Sequence, residues 1–199
     1  MLLIILNKLI YPIFIHYVVK YSMKKKFKKF TELLLEWNKI HNLTGAKTPV
    51  DVEKNIEDSL FPTTFIEKPS SILDVGTGAG FPGLILAIAY PNVRTVLCEP
   101  RKKRASFLKY VAMELELSNV EVAKMRVEDY NSEPFGLISS RAVTDTKMLL
   151  ELTAHLQEDA TRFLFYKGEQ VFSELESVDK TLDYDIIEKN QRNYLYIKG

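Results

Sequence analysis

The chain has 199 residues, enough for one domain with a large hydrophobic core and an additional segment. Its formal net charge of +1 excludes a strongly basic or acidic protein, so binding of a polyanion must depend on local clusters of charge. The single cysteine, Cys98, excludes an intramolecular disulfide and a cysteine-based zinc site, and three widely spaced histidines show no metal-ligand spacing. We therefore expect a monomeric cytoplasmic protein without a metal.

Residues 1–22 form an apolar N-terminal segment. Their apolar run is nearly long enough to span a bilayer, but Asn7, Lys8 and Pro12 interrupt it. The segment also lacks the basic start and cleavage site of a secretory signal. A membrane anchor, an amphipathic helix and a true translation start at Met23 are the alternatives. We favour the start at Met23, so membrane contact is not expected.

Residues 23–61 are predicted to form a helical N-terminal cap. Apolar residues spaced by three and four define one face of a helix that ends near Ile40; they are Phe27, Phe30, Leu34 and Trp37. A polar turn follows, and a second helix is predicted to run through Leu60, with Thr48 or Asp51 as its N-cap.

A glycine-rich turn follows the first predicted strand, Ile72 to Val75. Four glycines occur within eight residues before an apolar helical pattern starts at Leu84; they are Gly76, Gly78, Gly80 and Gly83. A strand, a glycine turn and a helix in this order favour a nucleotide-like ligand over an ordinary βα turn.

The rest of residues 62–199 alternates between strand-like and helix-like runs. This alternation indicates a doubly wound, Rossmann-like α/β sheet. A helix is expected at Glu169–Leu182. The last two strands, Tyr184–Lys189 and Tyr194–Lys198, have no helix between them, so we expect an antiparallel hairpin at the end of a mostly parallel sheet.

Ligands of such sheets lie beyond the carboxyl ends of the strands. Residues just past the predicted strands are therefore candidate contacts: Glu99, Glu128, Ser139 to Arg141, and Lys167. Glu99 lies 23 residues beyond Gly76, a spacing that suits a carboxylate on ribose hydroxyls.

Two cofactors are compatible with the glycines. Residues 78–83 match the G-x-G-x-x-G pattern of dinucleotide sites, whereas residues 74–80 match the D-x-G-x-G-x-G pattern of many S-adenosylmethionine sites. Asp74 would be a poor neighbour for a pyrophosphate, and the C-terminal hairpin also favours a methyltransferase. We therefore predict S-adenosyl-L-methionine.

Several motifs resemble the RsmG (GidB) family of small-subunit ribosomal RNA guanine-N7 methyltransferases. They are W-N-K-I-H-N-L-T-G at 37–45, Asp58-Ser59, the glycine motif at 74–83, Lys103-Arg104 with Phe107-Leu108, Arg126 to Glu128, Ser140 to Ala142, and Tyr166 to Gly168. The resemblance implies a class I methyltransferase fold and methylation of guanine N7 in 16S ribosomal RNA.

The resemblance also implies which residues bind the cofactor. With Gly78 of the glycine pattern, the expected contacts are Gly76, Phe81, Glu99, Val127, Glu128 and Arg141. The chain departs from the family at Asn55, where members commonly carry histidine, and at Glu99, where they usually carry aspartate. The first departure places a catalytic role for position 55 in doubt.

Methylation of guanine N7 requires no prior removal of a proton, which explains the absence of an obvious catalytic base. Asn42, Arg141 and Lys167 are therefore candidates for orienting the base. The alternatives are a turn residue that caps the second helix for Asn42, and a solvated strand end for Lys167. Basic clusters at Lys24–Lys29 and Arg101–Arg104 are candidate RNA contacts or simply solvated faces. An NAD-dependent oxidoreductase and a non-catalytic nucleotide sensor are the alternative functions.

Overall fold

The computed structural model describes residues 2–178 and 181–199, with side chains described from Tyr21 onward. Six α-helices are described: α1 (Leu2–His41), α2 (Pro49–Leu60), α3 (Gly83–Ala89), α4 (Lys102–Glu114), α5 (Thr146–Leu152) and α6 (Val171–Leu175). The described strands are β1 (Ser71–Val75), β2 (Arg94–Cys98), β3 (Val120–Ala123), β4 (Leu137–Arg141), β5 (Arg162–Lys167), β6 (Tyr184–Lys189) and β7 (Arg192–Ile197).

The strands form one sheet in the order β3-β2-β1-β4-β5-β7-β6. Strands β1 to β5 are parallel, and β7 pairs antiparallel with both β5 and β6. Strand order reverses between β1 and β4, which places the carboxyl ends of these strands at a topological switch point. The predicted doubly wound sheet with an antiparallel C-terminal hairpin is confirmed.

The hairpin between β6 and β7 has a two-residue turn. Lys189 pairs with Arg192, and the intervening Asn190 and Gln191 have φ angles of 51° and 62°. Two successive residues in the left-handed region give a turn whose twist matches that of the flanking strands. The turn therefore sets the register of β6 against β7.

Helix α1 packs its apolar face onto the glycine-turn side of the sheet. Phe30 and Leu34 are fully buried, and the Phe30 ring meets Phe81 edge-on at 5.4 Å and Phe107 at 6.4 Å. The predicted apolar face is confirmed, although the helix is continuous from Leu2. The prediction that residues 1–22 are a separate apolar segment stays a prediction, because most of their side chains lie outside the described part of the structure. Within the described part of the chain, no helix combines the length and apolarity needed to cross a membrane.

The connection from α1 to α2 is fixed by side chains of both helices. Asn38 donates to the carbonyl oxygens of Thr44 and Ala46 and accepts from the Thr44 amide. Thr48 is the N-cap of α2 and forms a reciprocal capping box with Asp51, so this predicted cap is confirmed.

The main departure from the predicted elements is α6. We expected a helix at Glu169–Leu182, but α6 ends at Leu175. The hydroxyl and the backbone amide of Ser177 both donate to the carbonyl oxygen of Glu174. These bonds form a local turn, which replaces the hydrogen bonds that would continue the helix. Helix α6 is therefore not extended.

Candidate cofactor and substrate site

The glycine-rich turn requires glycine at several positions. Gly76, Gly78 and Gly80 have φ angles of +66°, +61° and +102°, in the region that other residues rarely adopt. A Cβ atom added to Gly76 would lie 2.5 Å from Cγ2 of Val143, in the segment that follows β4. The turn thus depends on glycine both for its backbone conformation and for its contact with the neighbouring loop.

Most backbone amides of the turn already donate within the protein. Gly76 donates to the Cys98 carbonyl, and Gly80 and Phe81 both donate to the Thr77 carbonyl. The amide of Gly78 donates to Oε2 of Glu99 at 3.0 Å. A pyrophosphate site needs free amides at this place, so the turn is not arranged as a dinucleotide site.

The carboxyl group of Asp74, in β1, stabilises the glycine turn. Its side chain is fully buried and accepts hydrogen bonds from the Gly83 amide at 2.9 Å and the Ser139 hydroxyl at 2.7 Å. Burial raises the pKa of this carboxyl to about 6, although the hydrogen bonds oppose the shift. Asp74 therefore supports the cofactor side of the site through the turn.

Glu99 is a fixed carboxylate at the end of β2. It is 2% exposed, and its oxygens accept from the amides of Gly78 and Arg101 at 3.0 and 2.8 Å. Arg104 places a guanidinium nitrogen 4.0 Å from Oε2. Each carboxylate oxygen has two lone pairs, so this group can also accept hydrogen bonds from two vicinal hydroxyls.

Val127 and Glu128 lie in a short 3-10 turn that follows β3. Val127 is buried, whereas Glu128 is exposed and its carboxylate lies 3.8 Å from the guanidinium of Arg126. The structure therefore places a buried apolar residue and a more exposed carboxylate beyond the strand next to β2.

Phe81 and Arg141 form a stacked pair beside the glycine turn. Phe81 is 4% exposed, and the Arg141 guanidinium carbon lies 5.0 Å from the centre of its ring. Because Phe30 packs against the same ring, Phe81 is a core residue as well as a predicted cofactor contact.

Sequence reasoning missed the cluster that holds Arg141. One nitrogen of Arg141 donates to Asp58 at 3.1 Å and to Asn55 at 3.0 Å. Asp58 also accepts from Arg192 at 3.1 Å and from the Tyr194 hydroxyl at 2.9 Å. We call these five residues the Asp58 junction; it connects α2 to the ends of β4 and β7. The sequence singled out Asn55, the Asp58-Ser59 pair and Arg141 separately, but no pattern indicated that these residues contact one another.

Lys167 is bound within the protein. It is 7% exposed, and its ammonium donates to the Thr144 carbonyl at 2.9 Å and to Glu174 at 2.7 Å. Burial alone would raise the pKa of Glu174, but hydrogen bonds from Lys167 and Thr146 hold this pKa below its usual value. The interpretation of Lys167 as a solvated strand end is wrong.

Asn42 ends α1. It is exposed, has a φ of 49°, and its amide donates to the Asn38 carbonyl. A left-handed residue at this place is a common way to end a helix. The cap of α2 is Thr48 and not Asn42. No described contact connects Asn42 to Arg141 or Lys167.

The described part of the structure supports neither a reactive cysteine nor a metal site. Cys98 is buried, and burial raises its pKa to about 12, so this thiol is a core residue as expected. Among the residues that the structure describes, no group of His, Cys, Asp and Glu is arranged to hold a metal ion.

Several solved structures similar to this chain are methyltransferases. The O-methyltransferase from Bacillus cereus in complex with SAH aligns with a TM-score of 0.60 at 15% identity, over 86% of this chain and 91% of that one. A methyltransferase from Pyrococcus furiosus aligns with a TM-score of 0.59 at 16% identity, over 74% and 83%. These likenesses establish a class I methyltransferase fold.

Sequence comparisons identify the family. Ribosomal RNA small subunit methyltransferase G of Aliarcobacter butzleri is 51% identical over 170 residues, which cover 85% of this chain and 87% of that protein. The corresponding protein of Wolinella succinogenes is 49% identical over 178 residues, 89% of this chain and 91% of that protein. Residues 23–196 match the family GidB, rRNA small subunit methyltransferase G. The chain belongs to the GidB family.

Proposed function

We propose that the protein methylates N7 of a guanine in small-subunit (16S) ribosomal RNA, with S-adenosyl-L-methionine as the methyl donor. The observation that carries this proposal is the family match over residues 23–196, on a chain whose glycine turn and Glu99 suit a nucleoside cofactor. The amides already engaged in the turn argue against the dinucleotide oxidoreductase.

The residues of the turn fit this cofactor. Glu99 is held by two backbone amides, and its remaining lone pairs would accept hydrogen bonds from ribose hydroxyls. A positively charged sulfonium cofactor also suits a site whose fixed charges include the carboxylates of Glu99 and Glu128. The residues that would hold it are Gly76, Gly78, Phe81, Glu99, Val127, Glu128 and Arg141. When bound, it supplies a methyl group attached to positively charged sulfur.

The residues around the acceptor base act by orientation. Guanine N7 carries an in-plane lone pair, so the protein has no proton to remove and gains rate by aligning the base for in-line attack. Arg141 is fixed above Phe81 by Asp58 and Asn55, and Lys167 is fixed by Glu174. We assign both side chains to the orientation of the guanine, with Asn42 as a third candidate.

The remaining parts of the proposal concern the substrate and the organisation of the chain. Residues 62–199 would form the methyltransferase domain and residues 23–61 its cap, preceded by the segment 1–22. The exposed basic residues at 24–29 and 101–103 would contact RNA phosphates. We propose that the protein acts as a monomer in the cytoplasm, without membrane contact.

Methyl transfer to purified substrate tests this function. Labelled S-adenosylmethionine is incubated with the protein and either naked 16S ribosomal RNA or small subunits from cells that lack the enzyme. We expect one N7-methylguanosine per molecule by mass spectrometry of nuclease digests. Absence of this product on both substrates would overturn the proposal.

Calorimetry separates the two alternative functions. An oxidoreductase would bind NAD and not S-adenosylmethionine, whereas a nucleotide sensor would bind S-adenosylmethionine without transferring its methyl group. We expect binding of S-adenosylmethionine, no heat with NAD, and transfer to RNA.

A further inference from the structure

A groove lies between α2 and the turn of the β6–β7 hairpin. Its cavity volume is about 910 Å³. Its lining includes Lys47, Lys54, Lys189, Asn190, Gln191 and Arg192. We call this surface the hairpin groove. None of these residues belongs to the two basic clusters that the sequence suggested as RNA contacts.

Most acids of the groove are already engaged. Asp51 accepts from the backbone amides of Lys47 and Thr48 at 3.0 and 2.9 Å. Asp58 accepts from Arg141, Arg192 and Tyr194. The only other acid that lines the groove is Glu57. Because Asp58 is paired with Arg141 and Arg192, the three lysines of the groove lining face two remaining acids, Asp51 and Glu57, and leave an excess of positive charge.

Three exposed lysines supply that charge. Within the described part of the chain, no ion pair connects Lys47, Lys54 or Lys189 to an acid. The Lys189 ammonium lies 4.1 Å from the centre of the Phe61 ring, so one side of this cation is positioned and the other faces outward. Ammonium groups without acid partners are suited to phosphate oxygens.

The hairpin turn adds groups that can bind bases. Asn190 and Gln191 are exposed, and their left-handed backbone makes a tight two-residue turn at the edge of the groove. Each amide side chain offers two donors and an acceptor, which suits the edge of an unpaired base.

The groove continues into the region of the proposed acceptor base. Arg192 lines both the hairpin groove and a neighbouring depression that contains Val143, Lys167 and Gly168. An RNA strand lying in the groove would therefore lead to Lys167, one of the side chains assigned to the guanine.

We propose that the hairpin groove binds a single-stranded segment of the RNA substrate adjacent to the target guanine. Lys47, Lys54 and Lys189 bind its phosphates, and Asn190 and Gln191 contact its bases. This inference rests on the proposed function. Single-stranded RNA is favoured because unpaired bases expose their Watson–Crick edges, which the donors and acceptors of the two amides can contact.

The test compares Lys54→Gln/Lys189→Gln with Lys68→Gln/Lys109→Gln. The control pair removes the same charge from exposed lysines that do not line the groove. With naked 16S ribosomal RNA, we expect the groove variant to raise KM about tenfold while kcat stays unchanged. The slope of log affinity against log salt should fall by about 1.4, because each phosphate contact to single-stranded RNA contributes about 0.7.

Each outcome decides between the two proposals. If the wild-type protein does not methylate RNA, the proposed function and this inference both fail. If it does, and the groove variant matches the control variant in KM and salt slope, the groove proposal alone is overturned. If the wild-type protein methylates naked RNA, a defect of the groove variant that is confined to assembled small subunits would also overturn it, since the groove would then contact a protein. Lys47→Gln, tested separately, should reproduce about half of the change in slope.

Discussion

The glycine turn and the Asp58 junction meet where Arg141 stacks on Phe81, and they are built in opposite ways. The turn is made by one short segment, and its amides bond to nearby backbone or to Glu99. The junction is made by side chains from α2, β4 and β7. The turn is therefore fixed by local backbone conformation, whereas the junction exists only when the helical cap has docked onto the sheet.

The two regions also differ in how they hold their acid, which is buried at Asp74 and partly exposed at Asp58. Asp74 is fully buried and is bonded by a backbone amide and a hydroxyl, without a cation in direct contact. Asp58 contacts two guanidinium groups and the Tyr194 hydroxyl. Burial and the neighbouring Asp58 together raise the pKa of Tyr194, so this phenol remains a donor at neutral pH. The stability of the turn should therefore depend on pH, whereas the stability of the junction should depend on the negative charge of Asp58.

Replacement of Asp58 should have the largest effect. Asp58→Ala leaves Arg141 and Arg192 without their shared acceptor, and we expect the free energy of unfolding to fall by about 3 kcal/mol, at the lower end for a buried ion pair because the groups are partly exposed. Methyl transfer should fall at least tenfold because Arg141 is no longer held above Phe81. Denaturant unfolding and single-turnover transfer measure the two effects.

The neighbouring exposed acid provides the control for this prediction. Glu57→Ala removes a carboxylate from the same helix but from no described ion pair, so we expect less than 0.5 kcal/mol. Because Arg141 is also a proposed cofactor contact, Asp58→Ala should weaken the binding of S-adenosylmethionine, but by a smaller factor than it lowers methyl transfer. A large loss of cofactor affinity would show that the two regions are not separable.

Asp74 predicts a specific dependence of stability on pH. In the folded protein its pKa is about 6, against an ordinary value of 3.8, so the folded state holds a proton that the unfolded state has released. The contribution of Asp74 to stability should therefore be greatest below pH 4 and fall as the pH rises to about 6, by roughly 2–3 kcal/mol in total.

Asp74→Asn isolates this contribution. The amide can still accept from the Gly83 amide and can donate to Ser139, but it does not titrate. The difference in unfolding free energy between wild type and variant should change in favour of the variant between pH 4 and pH 6. A constant difference across this range would contradict the assigned burial of an ionisable Asp74.

The contrast between the regions explains what could be predicted from the sequence. The fold and the glycine turn could be predicted because strand patterns, glycine spacing and the position of Glu99 are local signals in the sequence. The Asp58 junction was not, because Asp58 and Arg192 are 134 positions apart and neither lies in a pattern that specifies the other. The same holds for Lys167, whose burial depends on Glu174 in the following helix, an element that was predicted too long.

Replacement of Gly76 should have the smallest effect on stability and the most selective effect on function. Alanine at a φ of +66° costs about 1–2 kcal/mol, and its Cβ would displace Val143. Gly45→Ala is the matched control, because no atom lies within 4 Å of the added Cβ. By calorimetry, Gly76→Ala should bind S-adenosylmethionine at least tenfold more weakly than Gly45→Ala, while its affinity for RNA remains unchanged because the Asp58 junction is intact. Equal loss of both affinities would mean that the glycine turn and the junction respond as one unit, and equal retention would remove Gly76 from the cofactor site.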